Sequence, residues 1–156
     1  MADTNVLKTR VEPYVRSWLE ARYGQQFHSE FLPLAGCAGR HEFDAISADG
    51  KIVGAIKCSS GKTSGKKNPS GKLASLFQEL YFLASVDAEK RLVVLTNREF
   101  FEIVQVRTNG KLSRNIEILD CPLTAELENI AAAVCREASD EMDRGKAWVR
   151  STSAGA

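Results

Sequence analysis

The sequence predicts an α/β domain in which a mixed β-sheet is flanked by helices on both faces. A group of strand-like segments joined by turn residues occupies residues 26–59, and helical and strand patterns alternate after it. Strands joined by a tight turn pair antiparallel, whereas strands joined through a helix pair parallel, so the sheet contains both arrangements. The 156 residues, 44% of them hydrophobic, are enough for one domain with its own core.

The first half of the chain predicts one helix, three strands and a loop. Apolar residues at helical spacing indicate a helix over 6–23, which Gly24 ends. Pro13 predicts either a kink or a start of the regular helix near Glu12. Glycine, serine and lysine dominate residues 59–72 and predict a flexible loop. The three strands that precede the loop are expected at 26–33, 41–47 and 51–59.

The second half predicts helices and strands in alternation. Asn97 and Thr124 are placed to cap the helices that follow them. The polar residues 144–156 predict a flexible C-terminal tail, so the single domain is expected to span 1–143. The predicted elements are a helix over 73–85, a buried strand over 91–97, a helix over 98–106, a strand over 116–119 and a helix over 125–142.

Composition and charge exclude some classes of protein and leave others open. No apolar run is long enough to span a membrane, and the N-terminus lacks the apolar segment of a signal peptide, so a cytoplasmic protein is expected. The four cysteines match no zinc-binding spacing and are expected to be free thiols. A net charge of +1 neither favours nor excludes nucleic acid as a partner, so any basic surface must be local.

A carboxylate and a lysine lie on the two strands of a predicted hairpin. Asp49-Gly50 is a strong turn signal, and a turn centred there places Asp44 opposite Ala55. Lys57 shares a face with Ala55, because residues two apart on a strand point to the same side. Asp44, Ala55 and Lys57 are therefore expected to project together.

This pair of side chains suits metal-assisted hydrolysis of a phosphodiester. A carboxylate binds a hard divalent cation through oxygen, and the cation lowers the pKa of an attacking water. A lysine orients that water or stabilises the developing charge. The alternative is a simple cross-strand ion pair between Asp44 and Lys57, which would contribute only about 0–1 kcal/mol at an exposed position.

The segments Phe43-Asp44-Ala45, Gly50 and Gly54-Ala55-Ile56-Lys57 resemble the hairpin of the PD-(D/E)XK nuclease superfamily. The resemblance extends over about residues 10–97, with the helix before the hairpin and the helix and strand after it. It implies a restriction-endonuclease-like core, a Mg²⁺ or Mn²⁺ cofactor and a nucleic-acid substrate, with DNA favoured over RNA. By the same resemblance, Asp44 would bind metal, Lys57 would position water and Gln78 would support the site. Glu12 would be a further metal ligand, with Glu20 as the second choice for that role.

The chain departs from the family motif at Ala55, where the second acidic residue is expected. Three explanations remain open: the carboxylate has migrated to the following helix as Glu79, catalysis has been lost while binding persists, or a Glu→Ala change was introduced to trap substrate. The first explanation predicts a nuclease. The second predicts a nuclease-fold module that binds nucleic acid or a protein partner without cutting, and a homodimer is open in either case.

A run of lysines follows Lys57 without any acidic residue. The functional interpretation is a loop that follows the phosphate backbone beside the site, because each lysine neutralises backbone charge and releases counterions. The alternative is an ordinary solvated loop. Ser60-Gly61-Lys62-Thr63 is not a phosphate-binding P-loop, because Ile56 occupies the position of its first glycine. The expected nucleic-acid-binding residues are Lys62, Lys66, Lys67, Lys72 and Arg40, with His41 beside them.

Overall fold

A computed structural model, which describes residues 3–61, 69–113 and 115–153, shows five strands and four α-helices over that part of the chain. The helices are α1 (Glu12–Tyr23, preceded by a π-helical turn, Leu7–Val11), α2 (Ser70–Ser85), α3 (Arg98–Thr108) and α4 (Ala125–Ser153). The strands are β1 (Phe27–Pro33), β2 (Arg40–Ser47), β3 (Ile52–Lys57), β4 (Lys90–Leu95) and β5 (Ile116–Asp120).

The five strands form one mixed sheet in the order β1-β2-β3-β4-β5. The first three strands pair antiparallel, and β4 and β5 pair parallel to β3. This is the expected outcome of a hairpin-linked group of strands followed by helical crossovers. The predicted α/β fold with a mixed sheet flanked by helices is confirmed.

Each face of the sheet carries a separate hydrophobic core. On one face, α2 and α3 pack on Phe43, Val53, Ala55, Val93 and Leu95 of the strands. On the other face, α1 and α4 pack on Ala45, Ile56, Leu92 and Val94. The central strand β4 contributes alternate residues to both cores, which explains why its sequence is continuously apolar.

The strand β2 contains a bulge at Asp44. Its register with β1 shifts between His28 and Glu30, so that Asp44 and Ala45 together lie opposite Ser29. As a result, Phe43 packs in the core beside α2 while Ala45 packs in the core beside α1. Simple alternation along the strand would place these two residues on one side, but the bulge adds one residue to the repeat and separates them.

The start and end of α1 agree with the sequence. The regular helix begins at Glu12, with Pro13 in its first turn, where a proline removes no helical hydrogen bond. It ends at Gly24, whose φ of 70° lies in the left-handed region that glycine adopts readily.

The last helix is longer than predicted. α4 continues to Ser153, so residues 144–153 of the predicted tail are helical, while the flexibility of that tail stays a prediction; residues 154–156 lie outside the described part. The segment contains good helix formers and no proline, and Gly145 alone does not interrupt it. All residues from 142 to 148 are exposed. Among the described residues, no helix has both the length and the apolar composition to cross a lipid bilayer.

The cap of α3 provides a first prediction. The side chain of Asn97 accepts a hydrogen bond from the Phe100 N–H at 2.9 Å, as the sequence predicts. We expect Asn97→Ala to lower the free energy of unfolding by about 1 kcal/mol, because the N–H then loses its partner. Urea unfolding measures the change. Asn109→Ala, at the other end of the same helix, is the control, and an equal loss in both variants would contradict a capping role.

Candidate functional site

The site lies where β2 and β3 separate. Their pairing covers Ala45 with Gly54 and Ile46 with Val53, and the next step in this register places Asp44 opposite Ala55, as predicted. Here the side chain of Asp44 replaces the backbone as partner, because its Oδ2 accepts a hydrogen bond from the Ile56 N–H at 2.8 Å. The carboxylate is therefore fixed at the point where the bulge turns β2 away from β3.

Lys57 ends β3 and faces α2, on the same side as Ala55. Its Nζ lies 3.0 Å from Oε1 of Glu79, and the two side chains are only 22% and 18% exposed. Lys57 thus pairs with Glu79 rather than with Asp44, so the cross-strand ion pair considered from the sequence does not form. Glu79 brings a carboxylate from α2 to the face of the sheet on which Ala55 lacks one.

His41 holds the other oxygen of Glu79. Its Nε2 lies 3.1 Å from Glu79 Oε2, its ring stacks on Phe82 with centroids 4.0 Å apart, and its edge meets Phe43 at 4.9 Å. The sequence suggested His41 only as an extension of a basic patch. Its position two residues before Phe43 on β2 was the available signal, since it places the ring on the face that α2 covers.

Burial and neighbouring negative charges raise the pKa of two carboxylates in this region. Burial, followed by the charge of Glu79, raises the pKa of Asp44, although the Ile56 N–H and Lys57 oppose the change. Burial, followed by the charge of Asp44, raises the pKa of Glu12. Raised carboxylate pKa values in a shielded cluster are typical of sites that bind a cation or transfer a proton, although structural ion-pair networks can also produce them.

Arg16 connects α1 to the bulge. Its Nη1 donates to the carbonyl of Asp44 at 2.9 Å and lies 3.6 Å from Oε2 of Glu12. Arg16 therefore links Glu12 on α1 to the backbone of Asp44, and the role of Glu12 as a metal ligand stays a prediction. Arg16 was not predicted, and the only signal for it was its spacing of one helical turn from Glu12.

The remaining predicted residues occupy different surroundings. Gln78 is exposed on α2, one residue before Glu79. Lys72 Nζ donates to the carbonyl of Ser60 at 3.0 Å and to its Oγ at 2.7 Å, so it joins the two ends of the lysine-rich loop. Arg40 donates to the carbonyl of Phe31 at 2.7 Å. The other three loop lysines, Lys62, Lys66 and Lys67, lie outside the described residues.

Carboxylates are the residues of this region that could hold a hard divalent cation. Within the described ranges, no group of three or more His, Cys, Asp or Glu side chains is arranged to hold a metal ion. Mg²⁺, however, commonly binds through one or two carboxylates together with water and substrate phosphate. Asp44 and Glu79 are the carboxylates that could provide such ligands, with Glu12 as a third candidate.

Burial makes two of the four cysteines unreactive. All four are free thiols, as predicted. Burial raises the pKa of both Cys58 and Cys121 to about 12, so these thiols stay protonated and unreactive at neutral pH. Cys135 donates its thiol hydrogen to the carbonyl of Cys58 at 3.3 Å.

Comparisons of the chain with protein-family models, with curated proteins and with solved structures find no match. The function of the chain is therefore inferred from its own residues and their geometry.

Proposed function

We propose that this chain is a metal-dependent nuclease that hydrolyses phosphodiester bonds of nucleic acid, with Glu79 in place of the carboxylate missing at position 55. One observation carries the proposal. Glu79 lies 3.0 Å from Lys57 and close enough to Asp44 for its charge to raise the pKa of that residue. The contact between Lys57 and Glu79 supports the proposal because it brings a carboxylate to the lysine on the face where Ala55 has none.

The order of elements supports a restriction-endonuclease-like core. A helix, three antiparallel strands, a helix and a parallel strand follow one another from α1 to β4. This is the span over which the sequence resembles the PD-(D/E)XK superfamily. The hairpin of β2 and β3 carries Asp44 and Lys57 at the positions that the resemblance requires.

Each residue has a proposed role. Asp44 and Glu79, with Glu12 as a further ligand, would hold Mg²⁺ or Mn²⁺, which supplies electrostatic stabilisation and an activated water. Lys57 exchanges its contact with Glu79 for the water or the phosphate. The phosphodiester and one water yield a phosphomonoester and an alcohol, so no other reactant is needed. DNA is the expected substrate, and an intracellular, cytoplasmic setting is the expected location.

The first experiment measures cleavage of plasmid and single-stranded DNA in Mg²⁺ and in Mn²⁺. We expect Glu79→Gln to lower the cleavage rate at least about tenfold, because the amide keeps the size of the side chain but loses its charge. Glu102→Gln is the matched control, since Glu102 is also a helical residue in an ion pair, with Arg98 at 3.1 Å, but is exposed on α3. Equal rates in the two variants would exclude Glu79 from the reaction.

A second candidate function is binding without cleavage. It is favoured by the absence of a carboxylate at Ala55 and by the engagement of both oxygens of Glu79 with Lys57 and His41. For this candidate we expect DNA binding that weakens steeply with salt, and no cleavage with either metal. Binding without cleavage by the unchanged chain would replace the first proposal with this one.

A further inference from the structure

The strand β1 forms an open edge of the sheet. It is the first strand in the sheet order, so among the described strands only β2 pairs with it. Phe27 at its start is buried, whereas the next four residues, 28–31, are all exposed. Phe31 is 54% exposed, although it is a large apolar residue within a strand. An edge of this kind presents unpaired N–H and C=O groups to another strand.

The free part of this edge is centred on Ser29. The carbonyl of Gln26 accepts a hydrogen bond from the Ala48 N–H of the neighbouring segment at 2.9 Å. The backbone N–H and C=O groups of successive residues point to alternate sides of an antiparallel strand. Those of His28 therefore point toward β2, and those of Ser29 point away from the sheet.

The two ends of the edge are closed by side chains. The carboxylate of Glu20 accepts from the Phe27 N–H at 3.4 Å, and the Arg40 guanidinium donates to the Phe31 carbonyl at 2.7 Å. Pro33 has no N–H to offer beyond them. These contacts restrict any added strand to a short segment around Ser29.

The segment around Ser29 is complementary to the same segment of a second copy in antiparallel orientation. His28 and Glu30 flank Ser29, and Phe27 and Phe31 flank that trio. If two copies pair antiparallel about Ser29, His28 of each copy lies opposite Glu30 of the other, and Phe27 opposite Phe31. Ionic and aromatic pairs in directly opposite positions both stabilise a sheet. Within one chain, His28 Nε2 already lies 2.9 Å from Glu30 Oε2, which shows that the two side chains lie on one face of the strand.

We infer that β1 is a dimerisation edge and that its partner is the β1 strand of a second copy of this chain. The two sheets join into one sheet of twice the width, with a twofold axis at Ser29. Each exposed Phe31 then lies at the junction of the two sheets, opposite the start of β1 of the other copy, and loses exposure to solvent. The inference uses no residue of the proposed nuclease site, so the two proposals are tested separately.

Crosslinking tests the register directly. Residues opposite each other in a hydrogen-bonded antiparallel pair have Cα atoms about 5.5 Å apart, which is within the range that a disulfide spans. We expect Ser29→Cys to form a disulfide-linked dimer with the mild oxidant diamide, identified by mass spectrometry of the linked peptide. Ser75→Cys, at an exposed position of α2, is the matched control. No linkage through position 29 in the Ser29→Cys variant, or equal linkage in the control, would overturn the inference.

Sedimentation equilibrium tests the backbone contact. We expect the unchanged chain to dimerise and Ser29→Pro to raise the dimer dissociation constant at least about tenfold, because proline removes the outward N–H. Ser29→Ala keeps that N–H and is expected to dimerise normally, and circular dichroism checks that both variants fold. A chain that stays monomeric at all concentrations would overturn the inference. So would a dimer that Ser29→Pro leaves unchanged, which would point to another surface, such as the exposed part of α4.

Discussion

Asp44→Asn is expected to abolish DNA cleavage and to make the protein more stable at neutral pH. The loss of cleavage should be at least about a hundredfold, since even residues that only hydrogen-bond to metal ligands often contribute about ten- to hundredfold. The gain in stability follows from the raised pKa of Asp44, which burial and the charge of Glu79 cause. An asparagine removes the shielded charge, and its oxygen can still accept the hydrogen bond from the Ile56 N–H.

The raised pKa of Asp44 also determines how this stability change depends on pH. Because the folded-state pKa of Asp44 lies above its ordinary value of 3.8, the folded protein binds the proton more tightly than the unfolded chain does. The folded state therefore loses stability as the pH rises from that value through the folded-state pKa. The stability difference between Asp44→Asn and the unchanged chain should be largest at neutral pH. It should shrink as the pH falls toward 3.8. Glu12, with its pKa also raised, contributes in the same direction.

Urea midpoints at neutral and acidic pH provide the measurement. Asp49→Asn is the control, because the pKa of Asp49 is shifted in the opposite direction from that of Asp44. Hydrogen bonds from the Ser47 hydroxyl and from the Lys51 N–H lower it. This variant should give no gain in stability at neutral pH. If Asp44→Asn unfolds at a lower urea concentration than the unchanged chain, the carboxylate stabilises the fold and is structural. This result does not depend on whether the chain cuts DNA.

The hairpin could be predicted from the sequence because local chemistry determines it. Gly50 adopts a φ of 73°, and its N–H donates to the carbonyl of Ser47 at 2.8 Å, so the turn lies where the Asp-Gly pair predicts it. A turn fixes the register of the strands that leave it. That register places Asp44 opposite Ala55 and Lys57 two residues farther along the same face.

The bulge at Asp44 could not be predicted from the same pattern. Phe43, Ala45 and Ile46 are all apolar and all buried, so the sequence does not show at which residue the alternation shifts. The shift depends on hydrogen bonding between β1 and β2, which involves residues far from the turn. The length of α4 was missed for a different reason, since its exposed half has no apolar stripe against the core to indicate its extent.

The contact between Lys57 and Glu79 depends on how α2 packs on the sheet. The sequence offered Glu79 only as one of three explanations for Ala55. It could not decide among them, because the rotation of the helix and the register of the strands are set by separate parts of the chain. The packing of Leu76, Leu80 and Leu83 against the sheet turns Glu79 toward Lys57. Once the helix is fixed by this apolar face, the position of its one carboxylate follows.

Returning the carboxylate from α2 to β3 tests whether Glu79 has taken over the role of position 55. Ala55 is only 1% exposed, so Ala55→Glu alone buries a charge near Asp44 and Glu79. We expect it to lower the free energy of unfolding by about 3 kcal/mol. Glu79→Ala alone should lose cleavage, because Lys57 and Asp44 remain without a second acid.

The double variant Ala55→Glu/Glu79→Ala should recover part of both losses. The new carboxylate lies two residues from Lys57 on the same face and takes over its ion pair, so the two changes should be non-additive by at least about 1 kcal/mol. Cleavage should rise above that of Glu79→Ala. Ala55→Gln/Glu79→Ala has the same shape without the charge and should recover neither. If the stability losses simply add and cleavage stays absent in the double variant, Glu79 is a structural partner of Lys57 and His41. In that case no other residue replaces the carboxylate missing at position 55, as expected for a protein that binds nucleic acid without cutting it.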